Sequence, residues 1–272
     1  MSQPEPWIVS AHNTATQSQN KIHDDDIARR YGFRGGLVPG VDDYAYMAHV
    51  PTQLWGLAWI GRGTMSAHFH QPVYDGQLVE VRSGDIVAAA GGETIILELL
   101  GPDGTVCATG DATLPAEPVG DPPHREAEAI DALPDTPPPA SPESLAPGTA
   151  FGLPLRTIDA EVHAKYLADI RETLPLFAAE GVAHPGALLR LANRVFAGNV
   201  TLGPWIHVSS EVRHHGLVHL GDRVGGRAVV TAEWEHKGHR FVTLDVELLV
   251  ADDATERTVA TIEHTAIHTP RS

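Results

Sequence analysis

The 272-residue chain has one cysteine, Cys107. That excludes an internal disulfide framework, and its apolar setting, Thr105-Val106-Cys107-Ala108-Thr109, reads as a small buried hydrophobe and not a nucleophile. Positive charge is also scarce: 19 Lys+Arg against 35 Asp+Glu leave a formal charge of −16, which argues against nucleic acid as a partner. No apolar run approaches the roughly 18 residues of a membrane span, so no membrane partner is expected. The opening Met1-Ser2-Gln3-Pro4-Glu5-Pro6 lacks the basic and apolar regions of a signal peptide, and a cytoplasmic protein is expected. Gly-x-Gly-x-x-Gly, the P-loop and Gly-x-Ser-x-Gly are all missing, so nucleotide-dependent and serine-hydrolase chemistries have no motif and no cofactor is expected.

What is present is enough apolar material for a core, 42% of residues, in a chain whose length fits one large or two ordinary domains. Between Pro115 and Pro147 lie ten prolines, seven acids and one arginine, a composition that favours extended, solvated backbone. Residues 115–150 are therefore read as a linker between domains at 1–114 and 151–272.

The two halves share landmarks at a nearly constant offset, the signature of an internal repeat. Pro39-Gly40 recurs as Pro185-Gly186, 146 positions on; Gly76 recurs as Gly221 and Gly92 as Gly238. Each half reads as a short helical segment, Pro-Gly, an apolar stretch of helical length, then strands. Residues 41–55 are apolar on most sides, which predicts a helix buried all round. Strands are predicted at 64–70, 78–89, 94–100 and 106–114, with Gly101-Pro102-Asp103-Gly104 as a hairpin turn. The second half repeats this with a helix at 185–200 and strands at 206–212, 223–235, 241–250 and 258–268. The predicted class is α+β, a double hot-dog in which two antiparallel sheets each wrap a long central helix and pair edge to edge.

Three stretches carry a family resemblance: Ser18-Gln19-Asn20-Lys21-Ile22-His23, the approach Gly35-Gly36-Leu37-Val38-Pro39-Gly40, and Phe69-His70-Gln71-Pro72-Val73-Tyr74-Asp75-Gly76. They resemble the MaoC-like (R)-specific enoyl-CoA hydratase/dehydratase family, whose signature runs Asp-x-Asn-Pro-x-His, then His-Gly at the helix start, then Phe-x-x-Pro-Val-x-x-Gly-Asp. Asn20 and His23 match the family's positions, whereas Ser18 stands at the catalytic Asp, Lys21 at Pro, and Pro39 at the His before Gly40.

The resemblance implies that His23 is the acid/base for water addition to an enoyl thioester, with Asn20 fixing the imidazole or the loop through its amide, a role compatible with an Asx-turn. Histidine suits the role because its pKa lies near neutrality. Ser18 can hydrogen-bond the same water but cannot act as a base at neutral pH. Gly40 opens the central helix, whose free N–H groups can hold a thioester oxygen. Asp42 and Asp43 either complement the helix dipole or face the cavity, where one could replace the missing Asp or act as a thioesterase carboxylate. Pro39, Asp42, Asp43 and Tyr44 are read as substrate-binding.

Asp169–Leu176, aligned in the second half, has no histidine in the motif position, so one active site per chain is expected. His207, His214, His215 and His219 lie on a strand and its turn without a Cys or carboxylate cluster, and no metal is expected. Three readings stay open: hydratase or dehydratase with His23 and Asn20, thioesterase with Asp42 or Asp43, and a non-catalytic acyl-binding subunit. The expected ligand is an acyl-CoA or acyl-carrier-protein thioester, and the expected protein partner is a second copy or a related hot-dog subunit.

Overall fold

The computed structural model describes residues 4–118, 133–251 and 255–271. The first half runs β1 (Trp7–Ser10), α1 (Asp25–Arg30), α2 (Gly40–Arg62), β2 (Thr64–Phe69), β3 (Leu78–Ser83), β4 (Val87–Ala89), β5 (Gly92–Leu100) and β6 (Val106–Pro115). The second runs β7 (Ala150–Thr157), α3 (Ala160–Asp169), α4 (Leu176–Glu180), α5 (Pro185–Asn199), β8 (Ile206–His214), β9 (Arg223–His236), β10 (His239–Ala251) and β11 (Glu256–Thr269).

The strands join in the order β1-β3-β5-β6-β2-β8-β11-β10-β9-β7, with β4 on the side of β5. Read from either end inward, the order is the same: β1, β3, β5, β6, β2 mirrors β7, β9, β10, β11, β8. The repeat in the sequence is therefore a repeat in topology. The joint is the antiparallel pair β2–β8, from Thr64 opposite Arg213 to His68 opposite Ser209, and it removes the edge each half would otherwise expose. This is the double hot-dog: one antiparallel sheet per half, curled around α2 and around α5. The landmark glycines are turn positions, since Gly76 (φ 74°) and Gly221 (φ 96°) both take left-handed backbone that a side chain resists.

Helix α2 is buried on every side from Val41 to Thr52, as its unbroken apolar character requires. Its regular part ends where the sequence predicts, because Gly56 leaves helical geometry at φ 55°, ψ −140° and the chain resumes helix to Arg62. One predicted strand is divided: the run at 78–89 becomes β3 and β4, interrupted after Ser83, with β4 continuing the antiparallel pairing of β3 along β5 at a register shifted by one residue. No helix among the described residues is long and apolar enough to cross a membrane.

Part of the segment read as a linker, residues 119–132, lies outside the described residues. The part that follows is not uniformly solvated. Thr201 receives a strand-like pair of bonds, its N–H donating to Pro138 O at 2.8 Å and its carbonyl accepting from Ala140 N at 3.0 Å. Leu145 is fully buried in the core. Composition missed this because one leucine among prolines is enough to anchor a strap when a slot is waiting. Leu145→Ala is expected to cost about 2–5 kcal/mol, read as a lower urea midpoint, whereas an unchanged midpoint would mean the strap is not anchored.

Candidate active site

Asn20 closes the short 3-10 turn Lys21–His23, its Oδ1 accepting from Ile22 N at 3.3 Å. The same amide reaches across to the second half: Oδ1 accepts from Trp205 N at 3.1 Å and Nδ2 donates to Trp205 O at 2.9 Å. Asn20 thus pairs with the backbone of Trp205 as a strand would, and locks the motif turn to the opposite hot-dog.

The His23 ring is held at both nitrogens. Nδ1 lies 2.7 Å from Leu37 O, an atom that can only accept, so the proton sits on Nδ1 and the lone pair on Nε2. Asn20 Nδ2 points its second hydrogen at Nε2 from 3.3 Å. Burial lowers the His23 pKa, outweighing the opposite pull of the Leu37 hydrogen bond and the Asp42 charge, so the imidazole is neutral near pH 7. A neutral imidazole with a defined tautomer and a weakly engaged Nε2 is the form that accepts a proton.

His23, Asn20, Pro39, Gly40 and Asp43 meet on one cavity of about 430 Å³, walled by apolar groups including Phe33, Leu37, Phe69 and Ile206. Gly40 is favoured by close approach and not by backbone conformation. A Cβ there would lie 3.0 Å from Nδ1 of His207, which packs on the start of α2.

The two acids of the first helical turn part company. Asp42 lines neither this cavity nor its neighbour: Oδ1 takes two bonds from Arg190, Nη2 at 2.6 Å and Nε at 3.1 Å, and Oδ2 accepts from Thr14 at 2.6 Å. It is a buried ion pair tying α2 to α5. Asp43 is 5% exposed, has no partner for Oδ1, and lines the cavity. Burial, followed by the Asp42 charge, raises its pKa well above the ordinary carboxylate range. Tyr44 is fully buried, with its hydroxyl unpartnered, and lines neither cavity, so the structure does not place it at a substrate.

Ser18 donates its hydroxyl to the carbonyl of Asn20 at 3.0 Å and lines a neighbouring cavity of about 480 Å³, which shares Asn20, His23 and Pro39 as its wall. The serine shapes the turn; among the described residues no carboxylate bonds either ring nitrogen of His23. Cys107 is buried, and burial pushes its thiol up to about 11.

Trp205, which the sequence allows as core or pocket wall, lines the cavity; sequence reading missed the rest of what the second half contributes, His207, Asn193 and the tip of the β9–β10 hairpin with Lys237. These lie far from the motif in sequence and reach the cavity only through the β2–β8 joint. Among the described residues no three His, Cys, Asp or Glu side chains gather as a metal site.

No family model matches the sequence, and no curated protein matches it. Solved structures do. RV0216 of Mycobacterium tuberculosis, a double hotdog protein, aligns with TM-score 0.65 at 14% identity over 98% of this chain and 96% of that one. A protein described as a MaoC domain dehydratase from Chloroflexus aurantiacus aligns with TM-score 0.65 at 12% identity, covering 99% and 94%. A protein described as a thioesterase from Novosphingobium aromaticivorans aligns with TM-score 0.53 at 13% identity, covering 85% and 88%. At these identities the likeness is one of architecture, and the chain is a double hotdog protein, with the fold of structures described as MaoC-like dehydratases and as thioesterases.

Proposed function

We propose that the protein is a hydro-lyase acting at the 2,3-position of an acyl thioester, hydrating an enoyl thioester or dehydrating the 3-hydroxyacyl product. The observation that carries this reading is that His23, its Nδ1 tied to Leu37 O and its Nε2 left to accept, and a buried Asp43 with Oδ1 unpaired share one apolar-walled cavity at the N-terminus of α2.

The chemistry follows from those two states. His23 Nε2 takes a proton from water as its oxygen bonds to C3. The C2–C3 π pair moves toward the thioester carbonyl, whose oxygen is stabilised by the N–H groups at the helix start. The Asp43 carboxyl then gives its proton to C2, and cavity water returns the His23 proton to Asp43. Asp43 takes the part that Ser18 cannot, from a different position in the chain. Burial and the Asp42 charge raise the Asp43 pKa, which suits it as an acid and weighs against it as a thioesterase base or nucleophile.

The substrate is a thioester of coenzyme A or of an acyl carrier protein, in the cytoplasm, with no cofactor. Both halves of one chain line the cavity, so a second subunit is not needed to complete it. Incubation with a panel of trans-2-enoyl-CoA esters tests the reading. Loss of enone absorbance without free thiol is expected, along with a large loss of rate in Asp43→Asn. Thiol release in step with turnover would establish a thioesterase instead, and no reaction with saturable binding would establish an acyl-binding subunit.

A further inference from the structure

A second histidine belongs to this cavity by construction. Strand β8 pairs with β11 so that Ser210 lies opposite His264, Ser209 opposite Thr265, and His207 opposite Ala266. Val208 is passed over. This β-bulge reverses the alternation of the strand, so that His207 and Ser210, three residues apart, both point into the protein, at 7% and 1% exposure. An unbulged strand would turn His207 to the opposite face. Bulges that re-aim one side chain are frequent beside active sites.

Inside, the three side chains form a chain of hydrogen bonds: His207 Nε2 to Ser210 Oγ at 2.8 Å, and Ser210 Oγ to His264 Nδ1 at 2.9 Å. Each end is unpartnered, at His264 Nε2 and at His207 Nδ1. The relay couples the two tautomers: one end carries a bare N–H and the other a bare acceptor, and the arrangement that a ligand oxygen would complete has the N–H at the end that belongs to the cavity, His207. His264 Nδ1–H then donates to Ser210, Ser210 O–H donates to His207 Nε2, and the remaining proton of His207 sits on Nδ1. That nitrogen packs against Gly40 at the start of α2, on a residue that lines the cavity.

We propose that His207, aimed by the β8 bulge and fixed in tautomer by Ser210 and His264, donates its Nδ1–H to the carbonyl oxygen of the bound thioester. His207 is the contacting residue; Ser210 and His264 are positioning residues. Burial holds both rings neutral, His264 with a pKa near 4 and His207 well below the ordinary histidine value, and a neutral imidazole donates without needing to charge. The donor comes from the half that lacks the His23 motif, so each half supplies one working histidine to a single site. The inference rests on reading the cavity as an acyl-thioester site, and it does not require that His23 and Asp43 carry out hydration.

The test is the absorbance of 2,4-hexadienoyl-CoA bound to His23→Ala, a background in which hydration does not intervene. Polarisation of the carbonyl is expected to shift the band to longer wavelength. Adding His207→Leu should abolish the shift with binding retained, and His207→Asn, whose amide N–H stands near the place of Nδ1, should restore part of it. Ser210→Ala, a small change safe for folding, should weaken it. With His23 intact, His207→Leu should lower kcat by about 10²–10³-fold, as for loss of one oxyanion donor. An undiminished shift in both His207→Leu and Ser210→Ala would overturn the assignment. If wild type hydrates no enoyl thioester but shows a His207-dependent shift, the hydratase reading falls and this one stands; turnover with a His207-independent spectrum does the reverse. Absence of saturable binding overturns both.

Discussion

His23→Ala is expected to lower turnover of enoyl thioesters by about 10²–10⁴-fold, the usual worth of one positioned acid/base, with the fold and thioester affinity retained. The fold should survive because the turn is held by other atoms: Asn20 keeps both bonds to Trp205, and Asn13 Nδ2 keeps its bond to the backbone carbonyl of His23 at 2.9 Å. What is lost is Nε2. The pH profile offers a second check. His23 acts in its neutral form, and its pKa lies below the ordinary value of about 6.5, so activity should fall on the acid side only below that pH. Asp43 acts in its protonated form with a raised pKa, so activity should fall as pH rises through that value. A bell is expected, and Asp43→Asn should remove its alkaline limb along with most of the rate. Steady-state kinetics and circular dichroism on the purified variants decide the matter. Wild-type turnover in His23→Ala would end the mechanism proposed above, and Asp43 would be left as the group to test alone.

Glu172→Ala is expected to destabilise the protein by about 3–5 kcal/mol at pH 7, the cost of removing one partner from a buried charged network. The Glu172 carboxylate is 1% exposed. Its Oε1 accepts from His49 Nδ1 at 2.8 Å, from Thr173 N at 2.6 Å and from Leu174 N at 2.7 Å, while Oε2 lies 3.5 Å from Nε2 of His184. His49 sits on α2 and His184 caps α5, donated to through its Nδ1 by Gly186 N at 3.0 Å, so a single carboxylate joins both central helices. Burial alone would raise its pKa, but the nearby His184 and the hydrogen-bonded His49 outweigh burial and hold it below the ordinary range. A carboxyl whose folded pKa is depressed contributes fully above its unfolded value, about 4.3, and loses that contribution as pH falls toward the folded value. The gap in urea midpoint between wild type and Glu172→Ala should therefore be widest near neutrality and narrow below about pH 4. A gap that stays constant with pH would mean that packing, not charge, accounts for the loss.

Much of the architecture is legible in the chain because it depends on local physics. An apolar stretch between Pro39 and Gly56 can only be a helix with no exposed face, alternating runs between Gly and Asp turns can only be antiparallel strands, and the same landmarks 145 or 146 positions later repeat the unit. The placement of His23 beside Asn20 and before the helix start is legible for the same reason: all three lie within about 20 residues joined by short turns.

The tertiary structure alone decided between Asp42 and Asp43. Neighbours on a helix point about 100° apart, so one meets Arg190 of α5 and the other meets the cavity, and nothing in the dipeptide says which. The same holds for Ser18, whose hydroxyl is taken by a carbonyl two residues away, and for Leu145, which makes a solvated-looking segment part of the core. His207 is the clearest case. On a regular strand it would face away from Ser210, and only the pairing of β8 with β11, which skips Val208, brings it to the start of α2. Periodicity and turn chemistry are properties of neighbours in sequence, which is why the chain by itself determined the elements and their repeat. Which side chains share a cavity depends on register between strands some 50 residues apart, on helix rotation and on the joint between the halves, and those are settled only when the two sheets close.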